Sequence, residues 1–112
     1  MIKQPALHPV GLKFDSDKPR LDLLFDGMPH ALEEVARVMT FGAAKYADHS
    51  WQRVENGYTR YLAASIRHAL AVSRGETHDA ESGLHHLAHE ACCVLFRLEL
   101  ALAALREKEA AQ

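Results

Sequence analysis

Apolar residues recur at three- and four-residue spacing over three stretches of this chain, and between them the pattern breaks. The first stretch begins at Pro29, which suits the opening turn of a helix because that position needs no N–H. Leu32, Val35, Met39 and Phe41 form its stripe, and the helix is predicted to end between residues 40 and 46, where Gly42 weakens it. A second helix fits 58–74. There Tyr58, Tyr61, Leu62, Ser65, Ile66, Ala69 and Val72 share one side, and Gly75 is the stop. The third is predicted from an N-cap at Ser82 to about Lys108, carrying Leu84, Leu87, Ala91, Val94, Leu95, Leu98 and Leu102. Residues 109–112 are expected to fray.

Residues 1–28 hold three of the four prolines and alternate in charge, so they read as an extended arm. The segments 46–57 and 76–82 read as loops, the first polar and aromatic. Neither a repeat nor a low-complexity tract interrupts the chain. The pattern predicts an all-α protein. Its third helix is apolar beyond one stripe, with Ala91, Cys92, Cys93, Val94, Leu95 and Phe96 in a row. A helix buried nearly all round needs neighbours on several sides, and three helices do not supply them. A second copy of the chain is the economical supplier, so a homo-oligomer is expected, either a dimer or a dimer of dimers.

At 112 residues the chain suits one domain with one modest core. A formal net charge of −2 gives no field that would favour nucleic acid or an anionic membrane, and neither is expected as a partner. The opening Met-Ile-Lys-Gln-Pro lacks the pattern of a signal peptide, and no apolar run reaches membrane-spanning length. Cys92 and Cys93 are adjacent on a helix and read as small core residues rather than a disulfide. These features lead us to expect a cytoplasmic protein.

Histidine alters this plain picture. Of eight in the chain, four fall between His78 and His89. His86 and His89 share a helix side by their spacing, as do His85 and His89, with Glu90 beside them. Imidazoles facing a core are costly unless they bind something; the alternative is that neighbouring carboxylates or water satisfy them. His68, next to Arg67, is either a group for phosphate or a hydrated ion, or a histidine bonded within the core. Asp79 either caps a turn or reaches the same cavity as His86. The adjacent His78 and Asp79 lack the spacing of a helical His-Asp phosphohydrolase pair. On the first helix Glu33 and Arg37 read as an exposed ion pair, whereas Glu34 sits at the edge of the apolar stripe, as a functional carboxylate or a boundary residue. Lys13, Lys18 and Arg20 are either a solvated segment or a cationic arm able to close over a polyphosphate. Lys45, Tyr46 and Trp51 combine a cation with aromatic surface for a base, though Trp51 reads equally as a packing anchor. A Gly-rich phosphate loop, a paired CxxC and a Gly-x-Ser-x-Gly nucleophile are all absent.

Three separated motifs occur in an order that resembles the phage-type dATP/dGTP diphosphohydrolase family, a branch of the MazG-like all-α nucleotide pyrophosphatases. They are Lys13-Phe-Asp-Ser-Asp-Lys-Pro-Arg-Leu-Asp-Leu-Leu24, Ala31-Leu-Glu-Glu-Val-Ala-Arg-Val-Met-Thr-Phe-Gly-Ala-Ala-Lys-Tyr46 and Ser82-Gly-Leu-His-His-Leu-Ala-His89. The resemblance covers about residues 11–100. It implies a MazG-like helical domain over 29–108 and cleavage of dGTP or dATP between the α and β phosphates, giving the monophosphate and pyrophosphate. It also implies a divalent ion, normally magnesium, held by acids from two helices in a bundle built with partner subunits. For a phage protein the compartment would be the host cytoplasm. Glu34 matches a metal-binding glutamate of these relatives, while Arg37 stands where many carry a second one. His86-Leu-Ala-His89 occupies the place of a Glu-x-x-Asp pair. Imidazole suits manganese, cobalt or zinc better than magnesium, so either His86 and His89 ligate a softer ion, or Glu34, Asp79 and waters hold magnesium while the histidines contact phosphate. The favoured arrangement has Glu34 and Asp79 as oxygen ligands with at least one of His86 and His89 near the ion. His68, His86 and His89 would ligate the ion or manage protons. Lys18, Arg20, Lys45 and Arg67 would hold the triphosphate, with Tyr46 or Trp51 against the base. The alternative is a non-catalytic nucleotide-binding or helical oligomerisation module of the same fold.

Overall fold

The computed structural model describes residues 11–111, in which helices α1 (Leu21–Gly27), α2 (Pro29–Lys45), α3 (Gly57–Ser73) and α4 (His86–Ala110) follow one another. A 3-10 turn, Ser50–Arg53, lies in the α2–α3 connection. Among the described residues there is no strand, only an isolated antiparallel bridge between His78 and His85. No described helix is long and apolar enough to cross a membrane. Residues 1–10 of the expected arm and Gln112 of the expected frayed tail lie outside the described residues.

Three boundaries depart from the sequence-based expectation. The arm is irregular over 11–20, but its continuation is the helix α1 rather than extended chain. Leu21, Leu23 and Leu24 are strong helix formers, and Asp22 in the first turn complements the helix dipole. The larger change is at α4. Its N-cap is His85, whose Nδ1 accepts the Leu87 N–H at 3.0 Å, and not Ser82. Residues 77–86 are held out of the helix by their own backbone. Asp79 N–H donates to Leu84 O, His86 N–H to Thr77 O and Gly83 N–H to Asp79 O, each at 2.8 Å. Gly83 has φ +74°, a conformation that L residues resist. At the other end α4 stays helical through Ala110, two residues past the predicted limit.

α3 packs along α4, and α2 also packs against α4. The core is small. Val38 of α2 meets Ala88 and Cys92 of α4, with Val35, Leu84 and Phe96 packed around them. Cys92 is the most enclosed side chain, at 2% exposure. Most of the long apolar residues face outward. Leu62, Ile66 and Leu70 recur at four-residue spacing on α3, and Leu95, Leu98, Leu102 and Leu105 at four/three spacing on α4; all are exposed. The chain presents 9490 Å² of surface, against about 6200 Å² for a compact chain of its mass. Met39 too, expected in the α2 stripe, is exposed, and Val38 beside it is the residue buried.

Candidate functional site

His68, Asp79 and His86 converge from three segments: the middle of α3, the 77–86 loop and the first turn of α4. One ligand atom from each lies within 4.8 Å of the others. The bonds that hold 77–86 out of the helix are what bring Asp79 back beside His86. His86 is buried, and its Nδ1 is 2.9 Å from Nδ1 of His68. Two imidazole nitrogens at that distance share one proton, so one ring donates and the other accepts. His89 stacks on His68, ring centroids 4.6 Å apart and planes 10° off parallel.

Ser82 links this group together. Asp79 Oδ2 accepts from the Ser82 N–H at 2.8 Å and from its hydroxyl at 3.0 Å. Ser82 Oγ also receives the Leu84 N–H at 3.1 Å and lies 2.7 Å from His89 Nε2. A hydroxyl has one proton and two lone pairs. With the proton given to Asp79, His89 must donate from Nε2–H, which leaves His89 Nδ1 as that ring's proton acceptor. Burial works against the Asp79 charge, but the two Ser82 bonds, with His89 and His68 nearby, hold its carboxyl below the usual range. Burial, with His89 and His86 alongside, lowers the pKa of His68. Burial also lowers that of His89, against the opposing pull of Asp79. Imidazole nitrogens beside a carboxylate form a donor set for a divalent ion.

Next to this group is a cavity of about 940 Å³, walled by the end of α2, the 3-10 turn, α3 and α4. Lys45, Tyr46, Trp51, Arg67 and His89 line it. His89 thus belongs to both the polar cluster and the cavity wall. The volume suits a ligand of nucleotide size. Lys45 bonds Glu81, tying the end of α2 to the 77–86 loop, and this contact holds its pKa up. Trp51 stacks face to face on Phe96, so one face of its ring is already covered. Tyr61 donates its hydroxyl to Trp51 O at 2.9 Å and also lines the cavity.

The remaining sequence-predicted residues lie elsewhere. Glu34 pairs with Arg37, Oε1 to Nε 3.2 Å, and joins neither the cluster nor the cavity lining. Lys18 and Arg20 border a separate hollow of about 530 Å³, and Arg20 is bonded to Asp22 at 2.7 Å. His85 caps α4 and faces His78, ring centroids 5.5 Å apart. The sequence reading missed the linking role of Ser82 and the Glu81 bond to Lys45. Ser82 stands seven residues before His89, a spacing that suggests contact only once 82–85 is known not to be helical.

Residues 9–110 match the family described as dATP/dGTP diphosphohydrolase, N-terminal. A protein of Salmonella phage PMBT28 named dATP/dGTP diphosphohydrolase is 42% identical over 87 residues, which are 78% of this chain and 28% of that protein. The chain therefore spans less than a third of the length of this relative. No solved structure matches it.

Proposed function

Because the chain belongs to the dATP/dGTP diphosphohydrolase family, matching its N-terminal part over residues 9–110, we propose that it hydrolyses a purine deoxynucleoside triphosphate, dGTP or dATP, to the monophosphate and pyrophosphate. The observation that carries this reading is the junction at His89, where a donor set for a divalent ion meets a cavity of nucleotide size. The donors fit an ion that accepts nitrogen as well as oxygen. Asp79 and His86 would hold it, with Glu34 as the second carboxylate of the reaction. A bound divalent ion supplies positive charge against the charge that develops on phosphate oxygens.

The chain's own groups divide the remaining work. Arg67, whose guanidinium can take two phosphate oxygens at once, binds the triphosphate from the cavity wall. Tyr46 and the uncovered face of Trp51 orient the purine. His89 takes a proton from the attacking water at Nδ1, since Nε2 is committed to Ser82. Burial keeps the ring neutral and ready to accept. Lys45 would leave Glu81 to reach phosphate, and Lys18 and Arg20 would reach it by closure of the arm. The exposed rows on α3 and α4 support assembly with a second copy of the chain as the working form.

Incubation with each deoxy- and ribonucleoside triphosphate, with products separated by chromatography, tests the reading. The expected products from dGTP or dATP are the monophosphate and pyrophosphate. Free orthophosphate without pyrophosphate, or no turnover with any ion, would refute it.

A further inference from the structure

We infer that His68, His86 and Asp79 form a binding site for a transition-series divalent ion of the manganese, cobalt and zinc class, and that this site is complete without Glu34. As the ion of the proposed reaction it rests on that reading; as a binding site it stands on its own geometry.

Three features support the assignment. First, the donors are two imidazoles and one carboxylate. Magnesium demands near-octahedral oxygen and keeps its waters, whereas imidazole suits the later ions. Second, the spacing is close to what such an ion needs. Around a tetrahedral ion with bonds of about 2.0–2.1 Å, neighbouring donors stand about 3.4 Å apart. The His68–His86 nitrogens, at 2.9 Å, would open by about half an ångström, and the three ligand atoms already lie within 4.8 Å of one another. Third, the carboxylate is held by outer bonds. Both Ser82 bonds go to Asp79 Oδ2 and take no part of Oδ1, which is the usual arrangement behind a metal-ligating carboxylate.

His89 is set apart from this ligand set. Its Nε2 is bonded to Ser82, and its ring lies flat on His68. It therefore positions Asp79 through Ser82 and steadies His68 by stacking. Glu34 is paired with Arg37, is not one of the three clustered ligand groups, and is left for an ion that arrives on the triphosphate. The assignment thus separates Glu34 and Asp79, the two carboxylates that the sequence reading expected to hold one ion.

The test is titration of the full chain with cobalt(II) in the absence of nucleotide, following visible d–d absorption, with calorimetry for zinc, manganese and magnesium. One cobalt per chain should bind with the intense spectrum of a low-coordinate site, and magnesium should bind at least 100-fold more weakly. His68→Asn and Asp79→Asn should each weaken cobalt at least tenfold, while Glu34→Gln changes it less than twofold. Circular dichroism confirms that each variant is folded. Magnesium binding as tightly as cobalt would overturn the assignment. So would unchanged cobalt affinity in folded His68→Asn, or a loss in Glu34→Gln equal to that in His68→Asn. Cobalt binding without nucleotide hydrolysis would refute the proposed reaction and leave the site standing.

Discussion

Trp51 and Phe96 lie face to face, ring centroids 4.1 Å apart and planes 7° off parallel, with Tyr61 edge-on to Phe96 at 5.1 Å. This pair fastens the 3-10 turn to α4 on a chain whose aliphatic core is small. The Trp51 Nε1–H is buried and has no partner among the described residues. An unpaired indole donor is a cost that the stacked area must exceed.

Trp51→Ala is expected to lower stability by about 2–3 kcal/mol, read as a shift in the urea midpoint. Trp51→Phe should recover most of the loss, since it keeps a stacking ring and removes the unpaired donor. An unchanged midpoint in Trp51→Ala would show that the stack contributes little.

Glu34→Gln should abolish turnover and leave the fold intact. The amide keeps the shape and removes the charge that a divalent ion needs, and losing such a ligand commonly costs far more than tenfold. Activity above about a tenth of the parent value in a steady-state assay would remove Glu34 from the reaction.

Helices α2, α3 and α4 were legible because they are long and periodic, whereas the seven-residue α1 was hidden in the charge alternation of the arm. Pro29 and Gly75 marked a start and a stop, and α2 and α3 fall within a residue or two of their predicted bounds. Ser82 was read as a cap because serine before an apolar run is the usual signal. Nothing in that pattern reports the Asp79–Leu84 and His86–Thr77 backbone bonds that delay the helix to His86. The histidine group was legible as composition, whereas the pairing of His68 with His86 depends on how α3 packs along α4. Which apolar residues are buried was the least legible. Leu62, Ile66, Leu98 and Leu102 have the pattern of core positions, yet they face outward in a single copy.

Those outward residues lead to an expected oligomer. Light scattering at micromolar concentration should give a mass of at least twice 12.5 kDa, and the double variant Leu98→Glu with Leu102→Glu should shift the chain toward monomer. A folded parent monomer at that concentration would refute assembly through this face.

Burial, with Cys93 adjacent, pushes the Cys92 thiol up to about 12 from its ordinary 9.0. The folded chain keeps this proton where the unfolded chain loses it. The resulting contribution to stability is present below about pH 9 and is lost as pH rises toward 12. Only thiolate reacts with disulfide reagents. In a Cys93→Ala background at pH 8, Cys92 should therefore react at least 100-fold more slowly in native buffer than in urea. Equal rates would show that the thiol is open to solvent.

His68 and His86 are eighteen residues apart in the chain, and Asp79 lies between them, so the whole donor set belongs to one helix–loop–helix segment. Closing a loop that short loses little chain entropy, and contacts of low sequence separation form fast. Lys45 and Glu81, by contrast, are thirty-six residues apart. The order of assembly that follows is α3 and α4 pairing first, with the polar cluster formed between them, and α2 docking afterward to close the cavity. In hydrogen-exchange labelling during refolding, amides of α3 and α4 should gain protection ahead of those in α2. An ion present from the outset would then act on the folding chain as well as on its reaction, binding a half-built molecule before there is a cavity for any nucleotide to enter.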